Sequence, residues 1–480
     1  MKLKDLLRGI DVTHWAADRE MEISGVSSDT REDISRGFLF VALSGFAFDG
    51  NRFIPKAMEK GTVVVVTTKK PDLEIPYVLV ENDRLALARI AANFHGHPAD
   101  TMTMVGVTGT NGKTSVTWLL KQVLEKTTGA KVGLIGTTEN HIGNEVLDTD
   151  RTTPESIQLH RLFARMRDAQ CRYAVMEVSS HAIALHRVEG IHFAVAAFTN
   201  LTEDHLDFHN TIEDYGQTKA QLFAHCDKAV VNSDCPWGQR MVAGRNIPMI
   251  ATAVDGCGDL MAKNVIYNRN GLQFTAVYGE KSVEVQVPIP GKFTVYNVLT
   301  VLGIALQLGI SLETAAEALR TVQGVKGRVE VVPTPGKDYT LLIDYAHTPD
   351  GLENVLSAVR GFCKGRLIAV FGCGGDRDRK KRPIMGQIGV RLADLAVITS
   401  DNPRTEVPSA IIDDIVAGLG DAKNYVVVEN RVEAIHYAMK IAQKDDIIVL
   451  AGKGHETYQE VMGVKHHMDE REIVADYLEK

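Results

Sequence analysis

Cysteine is scarce and follows no pairing pattern. The six cysteines at 171, 226, 235, 257, 363 and 373 show no Cys-x-x-Cys pair and no zinc spacing, which argues against a zinc module and fits packing residues in a reducing cytoplasm. Positive charge is also in short supply. Lys and Arg total 53 against 61 Asp and Glu, net charge −8, and no basic tail or patch stands out. No nucleic-acid partner is expected, and any anionic substrate must be met by local groups. Nowhere do 18 apolar residues run together, and the stretch from Met1 to Arg8 carries charges through its apolar positions. Neither membrane insertion nor export is expected. What is present is the composition of a globular protein, 45% hydrophobic and 24% charged over 480 residues. At roughly 150 residues per domain, that length implies about three domains.

One stretch organises the rest. In the stretch from Met102 to Thr117 a short apolar strand feeds a glycine-rich turn that carries Lys113 and Thr114, and a helix-compatible run from Ser115 to Glu125 follows. Glycines let backbone N–H groups close around phosphate oxygens, the helix start adds its positive end, Lys113 adds a point charge and the Thr114 hydroxyl can ligate Mg²⁺. The expected ligand is ATP. The spacing is compressed, with two residues between Gly109 and Gly112 where the common phosphate loop has four. The alternative is an ordinary glycine turn with a solvated lysine.

Before this stretch, residues 1–98 alternate short strands and turns, end in a helix over 84–94, and reach a Gly- and Pro-broken connector at His95 to Asp100. Residues 99–327 repeat a strand followed by a polar loop: 132–136 into Thr137, 173–176 into Glu177 to His181, and 193–199 into Asn200 to Asp207. Apolar runs separated by helical lengths imply parallel strands with crossover helices, which gathers those loops at one carboxyl edge with the phosphate loop. Glu177, Asp204, His205 and Asp207 are therefore expected near the phosphates, where a carboxylate and an imidazole can hold Mg²⁺. A lone His205 would otherwise be a satisfied core histidine. Lys219, in a helix expected over 214–223, would pass for a surface lysine.

From 328 to 480 four more apolar runs, beginning near 341, 366, 395 and 447, each empty into a loop rich in charge, Gly or His. A second doubly wound sheet would line one crevice with Arg377, Asp401, Asn402, Arg404 and Glu456. Two arginines can each fork onto a carboxylate while Asp401 and Glu456 hold an ammonium, so the implied ligand is an amino acid. Incidental surface ion pairs are the alternative.

Gly109-Thr-Asn-Gly-Lys-Thr114 resembles the phosphate loop of the Mur ligase and folylpolyglutamate synthase superfamily of ATP-dependent amide-forming ligases, and the likeness extends over nearly the whole chain. It implies an α/β fold of three domains: a small amino-terminal substrate domain (1–98), a central ATP-binding parallel-sheet domain (99–327) and a Rossmann-like amino-acid domain (328–480). It implies that Gly109, Thr110, Asn111, Gly112, Lys113, Thr114, Asn297 and Arg328 bind ATP. It further implies that Lys113, Lys219 and His205 serve catalysis, with Thr114, Glu177, His205 and a carbamylated Lys219 holding Mg²⁺. Without the likeness, Asn297 would be a helix N-cap and Arg328 a solvated linker charge.

Asp401-Asn-Pro-Arg404 is similar to the motif of family members that add meso-diaminopimelate rather than L-lysine, with Arg377, Asp401, Asn402, Pro403, Arg404, Gly452 and Glu456 around the amino acid. An arginine left buried and unpaired by lysine can reject it by roughly 10⁴-fold. The other substrate implied is UDP-MurNAc-L-Ala-D-Glu, held by Thr30, the Phe46 to Gly50 loop, Thr152, Thr153, Ser179 and Arg187. Leu185, Phe46 and Phe48 depart from the polar residues of relatives. The expected reaction makes an acyl phosphate on the D-Glu γ-carboxylate, which the amino-acid amine then attacks, in a monomer that closes its domains. An L-lysine ligase, a folylpolyglutamate synthase and a nucleotide-binding scaffold without chemistry are the other readings.

Overall fold

In the computed structural model, residues 1–45, 49–204, 208–268 and 271–479 are described. The apolar runs become strands buried on both faces: Met104, Val105 and Val107, Val195 to Phe198, and Ile448 to Ala451 have almost no exposed surface. A strand that apolar can lie only inside a sheet with helices on either side. That requirement shapes each of the three main sheets.

The chain divides into two compact units, residues 1–260 with 300–315, and residues 261–299 with 316–480. The first unit holds a five-stranded sheet in the order Val12–Ala16, Tyr77–Val80, Thr62–Thr67, Phe38–Val41, Gly25–Ser27. Its first strand is antiparallel and the rest are parallel. The same unit carries a run of parallel neighbours, Met249–Ala253, Cys226–Asn232, Phe193–Phe198, Thr103–Thr108, Tyr173–Glu177 and Val132–Ile135. Two short antiparallel strands, Asn140–Ile142 and Glu145–Leu147, extend it. The connector expected near 95–100 is a helix end at Gly96 followed by the 3-10 turn Pro98–Thr101. Across it, Ile157 of the helix Ser156–Asp168 joins the core of the amino-terminal sheet, Gln158 donates to Glu32 and Arg167 to the carbonyl of His95. The amino-terminal sheet thus belongs to the same unit as the phosphate loop.

The second unit contains a six-stranded sheet ordered Glu330–Val332, Thr340–Asp344, Ile447–Ala451, Leu367–Phe371, Leu395–Ile398, Tyr425–Val427. Only the first pairing is antiparallel. The last parallel strand in sequence, 447–451, is inserted between the first two, 340–344 and 367–371. Strand order changes direction there, and the loops leaving four adjacent carboxyl ends share one edge. A small antiparallel hairpin, Tyr458–Val461 with Val464–His467, follows the loop at 452–456.

Candidate active site

The strand Thr103–Thr108 runs into the helix Lys113–Thr128 through a turn that only glycine can make. Gly109 has φ 144°, and a Cβ there would lie 2.0 Å from Thr199 Oγ1. Gly112 precedes the helix at φ 86°. The turn is clamped from the loop after strand 193–198: Thr110 N–H donates to the Asn200 carbonyl at 2.8 Å, Asn111 N–H to Asn200 Oδ1 at 2.9 Å, and Thr199 Oγ1 to the Asn111 carbonyl at 2.6 Å. A phosphate loop held this rigidly loses little entropy when it receives a ligand. Lys113 Nζ folds back onto the carbonyls of Gly109 (3.0 Å) and Thr110 (2.8 Å).

Beside the loop, Thr114 Oγ1 donates to Glu177 Oε2 at 3.0 Å. Glu177 has no exposed surface and also accepts from Thr137 N–H (2.8 Å) and Thr137 Oγ1 (3.0 Å). A hydroxyl and a buried carboxylate meet at the helix start as a set of oxygen donors, the kind a hard divalent cation takes. His205 and Asp207 lie outside the described residues, as do Phe46 to Phe48. Among the described residues no group of three or more His, Cys, Asp or Glu is arranged to hold a metal.

Lys219 is no surface lysine. It lies at the end of the helix Ile212–Ala220, shorter than expected because Gln221–His225 tightens to 3-10, and it is 1% exposed. Its Nζ donates to the Gly109 carbonyl at 2.9 Å and sits 4.4 Å over the Tyr215 ring. Burial pushes its pKa well below the ordinary 10.5, Lys113 adds to the depression and Asp204 opposes it. Between the depressed value and 10.5 the unfolded chain binds the extra proton, so stability rises with pH across that window. Lys219→Met is expected to flatten the rise of the thermal midpoint from neutral pH towards 10.5, read by calorimetry. The Gly109 carbonyl keeps its bond from Lys113.

The residues expected at the muramoyl dipeptide are well tied. Thr153 Oγ1 donates to the Glu177 carbonyl at 2.8 Å and accepts from Ser179 N–H at 3.2 Å. Ser179 caps the helix Ser180–Ala184, and Thr152 shares a 3.0 Å hydroxyl contact with Thr137. Thr30 is buried. Arg187, expected to meet an anion, already has one: its Nη2 is 2.6 Å from Glu155 and Nη1 donates to the Thr153 carbonyl at 3.1 Å. Its buried Nε has no hydrogen-bond partner among the described residues.

In the second unit, Asn297 is buried in the second turn of the helix Lys292–Gln307, which rules out an N-cap. Arg328 is not a solvated linker charge either. Its guanidinium lies 5.1 Å from the Tyr345 ring centroid, and its buried Nε has no hydrogen-bond partner among the described residues. Nearby, burial raises the pKa of Asp344, which accepts from the N–H groups of Val329 and Ala346 at 2.8 Å each.

At the carboxyl edge, Asp401 Oδ2 faces Gly452 with no hydrogen-bond partner among the described residues, and a Cβ on Gly452, φ 123°, would stand 2.4 Å from it. Asn402, 3% exposed, donates from Nδ2 to Glu456 Oε2 at 2.9 Å. Lys453, with no exposed surface, donates to both Asn402 Oδ1 and Glu456 Oε2 at 2.9 Å. Pro403 is buried. Arg404 has φ 50° and donates from Nη1 to the Gly375 carbonyl at 2.8 Å, with Nε 3.3 Å from Glu460. Arg377, by contrast, is exposed. Asp401, Asn402, Arg404, Gly452 and Glu456 therefore do converge on one edge. Under them Arg431 and Glu470 form a fully buried ion pair, and Arg431 also donates to the Ala451 carbonyl at 2.9 Å, fixing the strand end that precedes Gly452.

Three family models match the chain: Mur ligase family, catalytic domain, over residues 22–95; Mur ligase middle domain over 107–305; and Mur ligase, glutamate ligase domain over 327–454. A relative from Clostridium acetobutylicum named UDP-N-acetylmuramoyl-L-alanyl-D-glutamate--2,6-diaminopimelate ligase 1 is 47% identical, with 100% of each chain covered. The chain belongs to the Mur ligase family. A Mur ligase of Clostridium tetani, named as the same 2,6-diaminopimelate ligase, is 45% identical over 100% of both chains. A solved structure with that ligase's name is 29% identical and superposes with a TM-score of 0.74 over 100% of this chain and 99% of its own. The architecture is accordingly the three-domain α/β fold of the Mur ligases.

Three residues that touch the expected contacts escape a reading of the motifs alone. Lys453 could have been found, since it stands inside Gly452-Lys-Gly-His-Glu456 between two expected contacts. Thr137 could have been weighed as a hydroxyl at a strand's carboxyl end. Glu460 carries no signal, because only the fold of the hairpin brings it to Arg404.

Proposed function

We propose that this protein is an ATP-dependent amide ligase that adds 2,6-diaminopimelate to the γ-carboxylate of D-Glu in UDP-MurNAc-L-Ala-D-Glu, a step in making peptidoglycan precursors. The observation that carries this is the end-to-end likeness, at 47% identity, to a ligase named for that reaction. The reading places the UDP-sugar end on residues 1–98, ATP and the dipeptide on 99–327 and the amino acid on 328–480, in a cytoplasmic monomer.

A carboxylate is a poor electrophile and must first become an acyl phosphate. Gly109 to Thr114 cradle the triphosphate, and the family likeness assigns Asn297 and Arg328 to the nucleotide as well. Lys113 leaves its two carbonyl partners to meet the charge that builds as the γ-phosphoryl group passes to the substrate oxygen. Thr114, Glu177, His205 and Lys219 as a carbamate would hold Mg²⁺, which when bound neutralises phosphate charge. Lys219 suits carbamylation because burial favours its neutral amine, the form that combines with CO₂. Thr152, Thr153 and Ser179 orient the dipeptide, with Arg187 near its anionic groups. Asp401 and Glu456 hold the ammonium of the amino acid, Arg404 takes its far carboxylate, and the free amine attacks the acyl carbon to expel phosphate.

If this sequence of steps is right, hydroxylamine added with ATP, Mg²⁺ and UDP-MurNAc-L-Ala-D-Glu, without any amino acid, yields a hydroxamate of the dipeptide, seen by mass. Chelating divalent ions abolishes it. ADP release driven by a folate instead would turn the assignment to the folylpolyglutamate branch. The L-lysine ligase is the second reading, and one contact favours keeping it in view: Arg404 is not left alone when its ligand is absent, because Glu460 is beside it.

A further inference from the structure

Arg404 is held by more than its own loop. Its φ of 50° is a backbone conformation that a residue with a side chain adopts reluctantly. Two backbone bonds from the hairpin stabilise it there: Arg404 N–H donates to the Glu460 carbonyl at 3.0 Å, and Met462 N–H donates to the Arg404 carbonyl at 2.6 Å. The guanidinium is placed by a third segment, through Nη1 on the Gly375 carbonyl at 2.8 Å. Gly374 must lack a side chain for this, since a Cβ would sit 2.8 Å from Nη1. The remaining edge of the guanidinium faces a carboxylate of the chain itself, with Nε 3.3 Å from Glu460 Oε2. Both side chains are about a quarter exposed, at 22% and 26%. The pair is neither sealed off from a ligand nor fully screened by water.

We propose that Glu460 is a specificity-determining residue, a resident carboxylate on Arg404 that limits how strongly the site can prefer an amino acid with a far-end carboxylate over one without. The inference rests on reading this edge as the amino-acid site.

Glu460 acts on both ligands. An arginine discriminates chiefly through the penalty of being left desolvated and unpaired by the wrong ligand. With L-lysine bound, Arg404 still has Glu460, so that penalty is reduced and the roughly 10⁴-fold rejection available to an orphaned arginine is not reached. With diaminopimelate bound, two carboxylates share one guanidinium, and their mutual repulsion removes part of the gain. Both effects push the preference the same way. Removing the charge at 460 should therefore sharpen selection. It should not weaken the aim of Arg404, which the backbone bonds and the Gly375 carbonyl continue to hold.

The test compares Glu460→Gln and Glu460→Asp with the parent, measuring kcat/KM for meso-diaminopimelate and for L-lysine, with KM for ATP alongside and thermal midpoints to verify folding. For Glu460→Gln the expected result is a KM for meso-diaminopimelate lower by a few-fold, L-lysine use unchanged or poorer, and a preference ratio raised by about 10-fold. Glu460→Asp, which keeps the charge, should stay near the parent. A ratio that is unchanged or falls in Glu460→Gln overturns the proposal, and a rise in the meso-diaminopimelate KM would show that Glu460 aims Arg404 instead of competing for it. Failure of the underlying site reading looks different: Arg404→Ala would then leave the meso-diaminopimelate KM where it was.

Discussion

Arg404→Ala is expected to cut kcat/KM for meso-diaminopimelate by about 10³-fold, with the KM for ATP close to the parent's. Two losses combine. The far carboxylate of the amino acid would no longer meet a forked pair of charge-assisted hydrogen bonds, and Glu460 would be left as an uncompensated negative charge facing the incoming carboxylate. The first is worth about 1.5–3 kcal/mol for each hydrogen bond to a charged group, and the second adds to it. Arg404→Lys should recover only part of it, because an ammonium supplies charge without the planar fork. Steady-state kinetics with amino acid and ATP varied in turn separates these cases. A uniform loss in both KM values would mean that the variant had disturbed the loop instead of the contact.

Lys113→Ala is expected to lower kcat by about 10²–10³-fold, the usual cost of removing one preorganised electrostatic donor from a charge-building step. Its bonds to the phosphate loop run to the carbonyls of Gly109 and Thr110, and the Gly109 carbonyl keeps its bond from Lys219. The fold should survive, so the thermal midpoint separates a catalytic loss from a structural one. If hydroxamate formation persisted at the parent rate in Lys113→Ala, the lysine would have no part in making the acyl phosphate.

The elements that position these groups were legible wherever one local rule dominates. A run such as Ile447-Ile-Val-Leu450 has no polar face, so a doubly covered strand is the only home for it, and the loop that follows must emerge at the sheet's carboxyl edge. Gly109 and Gly112 could be read because the backbone there needs positive φ. What depends on distant packing was not legible. Lys219 is buried because the helix Ile212–Ala220 lies against the phosphate loop, which nothing in its own segment announces. Arg187 and Glu456 seemed available for substrate, yet Glu155 in one case and Lys453 with Asn402 in the other already engage them. The contact between Arg404 and Glu460 requires a 458–467 hairpin that the motif does not contain. These partners bear on the strength of the proposed site more than on its location.

The most direct test of the proposed activity is ADP release by purified protein with Mg²⁺, ATP and UDP-MurNAc-L-Ala-D-Glu in three parallel reactions, supplied with meso-diaminopimelate, L-lysine or no amino acid, and the products weighed by mass spectrometry. The expected product is a muramoyl tripeptide carrying diaminopimelate, with L-lysine a poorer substrate and no tripeptide formed without an amino acid. A tripeptide formed preferentially with L-lysine, or no product with either amino acid, would contradict it.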